Sequence, residues 1–169
     1  MYRITCADAS HAEAVVEIVQ EAFLVDAYFK KPEFAVRGSM DEILEILSNP
    51  SAVILVITAE HSKIPVGCIH VYWDAGTKKC SFGMVSVRES QRGKGLGKKL
   101  VLAAESVARD KLGVPCVMSI GVIDSREDLI PFYEKLGYTN SDRREPFAEP
   151  HILREGFSVQ LIIMEKILE

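Results

Sequence analysis

Residues 92–100 read RGKGLGKKL and combine glycines with basic side chains, between an apolar run and an amphipathic helix. Closely spaced glycines allow a tight turn and a close approach of the backbone to a ligand. The helix after the turn offers unpaired N–H groups and a positive dipole end, both of which attract anions. Cationic side chains are concentrated in and beside the turn, namely Arg88, Arg92, Lys94, Lys98 and Lys99. These residue types at this spacing predict a phosphate-binding loop, which we call the glycine loop (residues 92–98).

Two common phosphate-binding motifs do not fit the glycine loop. A P-loop has the form G-x-x-x-x-G-K-[ST], and no Ser or Thr follows Lys98 to hold magnesium. A dinucleotide fingerprint, G-x-G-x-x-G, follows the first strand of a βαβ unit, whereas Gly93, Gly95 and Gly97 alternate past the middle of the chain. The whole chain carries a formal net charge of -4, so a local basic site favours a small polyphosphate over nucleic acid.

The glycine loop resembles the R/Q-x-x-G-x-G/A motif of the GCN5-related N-acetyltransferase (GNAT) family, with Arg92, Gly95 and Gly97 at the matching positions. In that family this loop binds the pyrophosphate of acetyl-CoA. The resemblance therefore implies acetyl-CoA as co-substrate. No metal is expected, because no spacing of His or Cys residues builds a ligand set. The residues implied to bind the cofactor in this loop are Arg92, Gly93, Lys94, Gly95, Leu96, Gly97 and Lys98.

A second segment, residues 130–138 (IPFYEKLGY), looks like a helix ending of the same family. The tyrosine of that pattern often protonates the departing CoA thiolate, which implies Tyr133 as the catalytic general acid. The alternative is a core tyrosine whose hydroxyl caps a backbone carbonyl. The family frequently has Asn-x-x-Ala before this tyrosine, where this chain has Arg126 and Leu129. We expect Arg126 to contact phosphate instead.

The first half of the chain alternates strand and helix signals. A strand is predicted at 2–6, and capping-box patterns at 10–13 and 39–42 each predict a helix start, the second helix stopping at Asn49. Three strand-like runs follow, with connections short enough for antiparallel hairpins: 52–60, 64–73 and 79–87.

The second half predicts a helix at 95–112, a strand at 114–122, a helix that carries Tyr133 and a last strand at 159–168. Asp124 or Ser125 is expected to cap the Tyr133 helix, and Gly137 to end it. A strand, helix, strand succession implies a parallel pair joined by a right-handed crossover. The fold class predicted is α/β, with a mixed, mostly antiparallel central sheet of six to seven strands flanked by helices, as in the GNAT family. At 169 residues the chain is expected to form a single domain.

The resemblance also implies that the fourth and fifth strands, 79–87 and 114–122, splay apart to admit the pantetheine arm. Backbone groups of Val85 and Val87 would then pair with the pantetheine amides as with an added strand. The alternative is that both strands simply pair within the sheet.

The general base is not identified by sequence, because residues 79–87 carry no carboxylate. Proton acceptors considered are Glu60, Asp74, Glu89 and Tyr72, and a surface or hairpin role is favoured for each. Of the histidines, only His70 and His151 could face an acceptor cleft, and a surface role is favoured for both.

Acceptor identity is expected to depend on two segments, 23–34 and the long connection 141–157, which a compact domain uses as a lid or binding loop. Their aromatic residues, with Tyr72 and Trp73, could wall a pocket for a small amine. The predicted function is an acetyl-CoA-dependent N-acetyltransferase acting on a small-molecule amine, with no nucleic-acid or membrane partner. Alternatives are acetylation of a protein or peptide amine and a non-catalytic acyl-CoA-binding module. Homodimers are common in the GNAT family.

Cysteine usage and hydropathy predict a cytoplasmic location. Cys6, Cys68, Cys80 and Cys116 form no C-x-x-C pair and are interpreted as buried thiols in a reducing compartment. The longest apolar stretch, 52–57, is too short to span a bilayer, and no secretory signal is recognised.

Overall fold

A computed structural model describes residues 1–24, 29 and 38–169. Within these residues one sheet has the strand order β1-β2-β3-β4-β5-β7-β6. The strands are β1 (Tyr2–Cys6), β2 (Ala52–Ala59), β3 (Pro65–Asp74), β4 (Lys79–Val87), β5 (Cys116–Ile123), β6 (Thr139–Pro146) and β7 (Gln160–Leu168). The helices are α1 (Ala12–Phe23), α2 (Met40–Ser48), α3 (Leu96–Leu112) and α4 (Leu129–Glu134).

The sheet is antiparallel except between β4 and β5, which are parallel and joined through α3. The predicted fold class, a mixed and mostly antiparallel sheet flanked by helices, is confirmed. Because strand side chains alternate between faces, β3 serves two cores: Cys68 packs with α1 and α2, while Ile69 and Val71 pack with α3. The helices therefore cover both faces, with α1 and α2 on one and α3 and α4 on the other.

The helix starts differ in detail from the capping boxes predicted. At the first, the cap is Asp8, whose carboxylate accepts from the Ser10 N–H while His11 accepts from the Asp8 N–H. This box opens a 3₁₀ turn that runs into α1, so the prediction of Ser10 as cap is wrong. At the second, Ser39 Oγ accepts from the Glu42 N–H as predicted, but the Glu42 carboxylate accepts from the Gly38 N–H.

The Tyr133 helix begins later than predicted. Neither Asp124 nor Ser125 caps α4, because Asp124 still donates its N–H to Gln160 on β7 and a turn then leads to Leu129. The end of the helix is as predicted. Gly137 has a φ of 93°, and the N–H groups of Gly137 and Tyr138 donate to the carbonyls of Glu134 and Tyr133 in a Schellman arrangement.

The connection predicted at 141–157 is in part a strand. Its first half forms β6, which pairs with β7 at the sheet edge and is exposed along almost its whole length. Since neither face of β6 is buried, its sequence shows no alternation of apolar residues. The remainder, residues 147–159, folds back as a short connection around a 3₁₀ turn. Most of the other segment expected to bind the acceptor, 23–34, lies outside the described residues.

Three of the cysteines, Cys68, Cys80 and Cys116, are buried as predicted, but Cys6 is exposed, so the prediction of a buried thiol is wrong for Cys6. Burial raises the pKa of the Cys68 thiol to about 12. Among the helices of the described residues, none combines the length and apolar character needed to cross a bilayer.

Candidate functional site

Strands β4 and β5 separate halfway along their length. They pair from Lys79 opposite Val117 to Phe82 opposite Ile120, and pairing stops there although both strands continue. A β-bulge lies at the same point of β4, where the register with β3 shifts and Met84 has a φ of 53°. A bulge bends its strand, so it directs β4 away from β5. This is the separation that the resemblance implied, and pairing of the two strands along their full length is not observed.

A cavity of about 570 Å³ opens where the two strands part. Residues 83–87 of β4 line one side and residues 120–123 of β5 the other. One end reaches Arg92 and Gly97 of the glycine loop. The remaining lining comes from α1, β3, β4, the turn before α4, α4 itself, the β6–β7 connection and β7: Ala22, Phe23, Tyr72, Phe82, Arg126, Leu129, Phe132, Tyr133, Phe147, Ala148, Glu149 and Leu161.

The glycine loop turns through two left-handed residues, Gly93 with a φ of 77° and Gly95 with a φ of 72°. A side chain at either position would be strained, and the space where its Cβ would lie is open within 4 Å. The first bond within α3 runs from the Lys99 N–H to the Gly95 carbonyl, at 3.2 Å. Helix geometry leaves the N–H groups of residues 96–98 without a partner inside the helix, facing the loop. The Leu96 side chain is buried in the core, so Leu96 can offer a ligand only its backbone.

The basic residues around this loop divide into two groups. Arg92 and Lys98 are exposed, and Lys94 donates to the Gln91 side chain at 2.8 Å. Arg88 does not belong with them, because its guanidinium turns to α1 and pairs with Glu17 at 2.8 Å and Glu21 at 3.4 Å. The prediction that Arg88 adds to the positive field of the loop is therefore wrong.

Arg126 lines the cavity beside α4. Its Nε lies 2.9 Å from the Asp128 carboxylate, and this hydrogen bond lowers the pKa of Asp128. The guanidinium is thus oriented by a neighbour two residues along the chain.

Tyr133 lies on α4 and is 5 % exposed. Its ring packs against Phe132, Phe82 and Tyr138, with centroid separations of 5.0, 5.9 and 6.1 Å. Burial raises its pKa to about 12, and the charge of Arg126 acts in the opposite direction. Within the described part of the chain its hydroxyl makes no hydrogen bond, so the carbonyl-capping role considered above is not observed.

The proton acceptors considered from sequence are scattered. Glu60 pairs with the N-terminal ammonium, Asp74 accepts from Gly76 and Thr77 in a hairpin turn, and Glu89 is exposed. Within the described residues Tyr72 alone of the acidic or phenolic candidates reaches the cavity.

Of the two histidines considered, His70 is half-buried with its ring 5.2 Å from that of Tyr72, and His151 is exposed in the 3₁₀ turn after Glu149. The sequence interpretation missed Glu149, which lines the cavity. Its position depends on the fold of the β6–β7 connection, which no local pattern indicates.

Among the described residues no group of three or more His, Cys, Asp or Glu side chains is arranged to hold a metal ion.

The chain is similar to known acetyltransferases in sequence pattern and in fold. A family model described as the acetyltransferase (GNAT) family matches residues 13–138. No curated protein matches the chain. Among solved structures, yncA from Salmonella typhimurium with its cofactor acetyl-CoA is 22% identical, with a TM-score of 0.75 over 100% of this chain and 95% of that one.

Two further structures illustrate the range of similar folds. The PaiA N-acetyltransferase from Thermoplasma acidophilum in complex with coenzyme A is 20% identical, with a TM-score of 0.75 over 99% of both chains. The ribosomal-protein-S18-alanine N-acetyltransferase from Escherichia coli is 16% identical, with a TM-score of 0.76 over 100% of this chain and 95% of that one.

Proposed function

The chain belongs to the acetyltransferase (GNAT) family, and from this we propose that it transfers the acetyl group of acetyl-CoA to the amine of a small molecule, with Tyr133 as general acid. Acetyl-CoA supplies an activated thioester. The observation that supports the proposal most is the cavity between β4 and β5, because it joins the glycine loop to Tyr133 and to an apolar recess.

The glycine loop suits a pyrophosphate. Its left-handed glycines leave open space beside the backbone, and the start of α3 presents N–H groups and a positive dipole end. Arg92, Lys94 and Lys98 supply positive charge, with Gly93, Gly95, Leu96 and Gly97 contributing backbone. We assign Arg126 a phosphate contact from the α4 side.

Backbone polarity along β4 supports the proposed pantetheine contacts. The Arg88 N–H donates to Val66 on β3 at 2.8 Å, so the groups of Val87 face the opposite side of the strand. The Val87 carbonyl there lies 3.4 Å from Arg92 Nε. We infer that Val87 and Val85 offer their backbone groups to the amides of an extended ligand in the opening.

Proton transfer is assigned to Tyr133. With a pKa of about 12 its hydroxyl keeps its proton at neutral pH. As the amine nitrogen bonds to the acetyl carbon and the carbon–sulfur bond breaks, Tyr133 passes this proton to the thiolate sulfur. The proton that the amine loses goes to solvent, and Tyr133 regains a proton from solvent afterwards. The aromatic residues packed around Tyr133 hold its ring in place, so the hydroxyl that donates the proton is pre-organised.

The acceptor end of the cavity favours a small amine. Phe23, Tyr72 and Phe147 line it, and the segment that carries Phe147 is held by a separate apolar cluster. The members of this cluster are Phe29, Phe147, Ile152, Leu153 and Val159, with Phe23, Ile123 and Leu161 packed against them. A segment anchored in this way limits room for an extended peptide. Glu149 at the same end would attract a protonated amine.

The test begins with calorimetric titration of acetyl-CoA into the wild-type protein and two variants. Gly95→Glu adds a negative side chain at the proposed phosphate site. Gly113→Glu is the control, because Gly113 also has a positive φ, of 66°, and open space where a Cβ would lie, but lies at the opposite end of α3. We expect binding to be lost in Gly95→Glu and kept in Gly113→Glu. Absence of binding to the wild type would overturn the proposal.

The acceptor is tested next by release of free CoA with a panel of small amines and with peptides. Turnover with small amines above that with peptides supports the proposal. A peptide preference would identify a protein acetyltransferase, and tight acetyl-CoA binding without turnover on any amine would identify an acyl-CoA-binding module.

A further inference from the structure

A buried charge cluster lies near Tyr133 and includes Tyr138, whose ring packs against the Tyr133 ring, but none of its residues lines the cavity. Its centre is Glu105 of α3, which is 2 % exposed. Lys166 of β7 places its Nζ 2.8 and 3.0 Å from the two carboxylate oxygens, and the Tyr138 hydroxyl donates to one of them at 3.1 Å. Arg109 approaches to 3.7 Å from the exposed side. Burying a carboxylate is unfavourable unless it is paired in this way.

Lys166 also contacts the backbone that ends α4. Its Nζ donates to the Leu136 carbonyl at 2.8 Å, which satisfies one of the carbonyls that a helix end leaves unpaired. A Cβ at Gly137 would lie 3.3 Å from Lys166 Cε, so the glycine allows the lysine to pass close to the turn. Lys166 therefore joins the helix end to the buried carboxylate.

The helix end is in turn bonded directly to Tyr133. The Tyr138 N–H donates to the Tyr133 carbonyl at 3.1 Å, while the Tyr138 side chain belongs to the Glu105 cluster. Helix α4 has only 6 residues, too few to hold a helical shape without tertiary contacts. The position of Tyr133 relative to the cavity thus depends on how firmly the turn at residues 136–138 is held.

We propose that Lys166, held by Glu105, is a positioning residue that sets the Tyr133 hydroxyl for proton transfer by anchoring the end of α4. The inference rests on the proposed role of Tyr133 as general acid. Lys166 does not line the cavity, so in this proposal it acts only through the backbone of residues 133–138. A displacement of the acid of about 1 Å is enough to lower a catalytic rate severely.

The test is a double-mutant cycle with Lys166→Met and Tyr133→Phe, measuring kcat and acetyl-CoA affinity. We expect Lys166→Met alone to lower kcat about tenfold or more with little change in acetyl-CoA affinity. In the Tyr133→Phe background the same substitution should change kcat less than about twofold, because the group that it positions is already gone. Arg109→Met is the control, since Arg109 touches Glu105 but not the helix end, and its kcat should match the wild type.

An equal loss from Lys166→Met in both backgrounds would overturn the inference, because it would mean a general structural role. Full turnover of Tyr133→Phe would instead remove the proposed general acid, which is a separate failure. If Lys166→Met does not fold, the cycle is run with Lys166→Gln, whose side chain is uncharged and one atom shorter and therefore loses the bridge between Glu105 and the Leu136 carbonyl. In that variant the same background dependence is expected, and its absence overturns the inference equally.

Discussion

The guanidinium of Arg88 lies 2.8 Å from the carboxylate of Glu17, so the end of β4 is joined to helix α1 by an ion pair. Glu21 completes the arrangement by accepting from the Glu89 N–H at 2.6 Å. Arg88 and Arg92 are only four positions apart in sequence. Arg88 nevertheless forms ion pairs with α1, whereas Arg92 faces the cavity. Two substitutions of the same kind can therefore separate folding from cofactor binding.

Arg88→Met is expected to lower the free energy of unfolding by about 1 kcal/mol, the typical scale of a partly exposed ion pair, with acetyl-CoA affinity unchanged. Arg92→Met should do the reverse, weakening acetyl-CoA binding roughly tenfold with little loss of stability, because it removes the proposed charge-assisted phosphate contact. Urea denaturation and calorimetry of both variants check this. If Arg88→Met and Arg92→Met weakened acetyl-CoA binding equally, the separate roles assigned to the two arginines would be contradicted.

Tyr133→Phe is expected to reduce kcat on the order of a hundredfold while acetyl-CoA affinity stays the same, since the proposed general acid is needed only when the thiolate leaves. Because the pKa of Tyr133 is about 12, the wild-type rate should show no loss from its ionisation as pH rises, until about pH 11. Steady-state rates across pH measure both effects. A kcat within about twofold of the wild type would remove Tyr133 from the mechanism.

Arg126→Leu tests the proposed phosphate contact where the GNAT family usually has asparagine. We expect weaker acetyl-CoA binding, by roughly tenfold, since a charge-assisted hydrogen bond would be lost. Asp128→Asn is the matched control, because it removes the negative partner at 2.9 Å but leaves the guanidinium. Its affinity should be equal to that of the wild type or higher. Unchanged acetyl-CoA affinity in Arg126→Leu would show that the Arg126 guanidinium makes no phosphate contact and has only a structural role beside α4.

Local motifs predicted the parts of the site that depend on a few neighbouring residues. The glycine loop has the turn that Gly93 and Gly95 allow, and Gly137 closes α4 as expected. These features follow from backbone freedom at single residues, which sequence reports directly. The parallel pairing of β4 with β5 likewise followed from the order of strand, helix and strand.

The features that sequence did not predict depend on distant contacts. The bulge at Met84 uses a left-handed backbone that methionine does not signal, and only pairing with β3 reveals it. The direction of Arg88 depends on where α1 packs, and the position of Glu149 depends on the β6–β7 connection. Strand β6 shows no pattern because it is exposed on both faces.

His70 lies beside Tyr72, which lines the cavity, and carries a buried polar nitrogen whose burial is unfavourable for folding. It lies on β3 opposite Ile54 and Gly83, and its Nε2 is buried without a hydrogen-bond partner in the described part of the chain. Burial lowers its pKa from the usual value of 6.5. The titratable side chains beside it on the same face of β3 are Cys68 and Tyr72, and the helices packed on this face contribute the apolar side chains of α1 and α2.

A lowered histidine pKa makes stability depend on pH in a definite direction. Below about pH 6.5 the unfolded chain binds a proton at His70 that the folded chain does not yet bind, so the free energy of unfolding falls as pH drops from 6.5 through the lowered folded pKa. Removing the imidazole with His70→Leu should therefore reduce the stability lost between about pH 7.5 and 5.5, as measured by urea denaturation at each pH. His61→Leu, at an exposed turn position, serves as control and should lose as much as the wild type. If His70→Leu and His61→Leu lose stability equally over this range, burial of the His70 ring has no energetic consequence for folding.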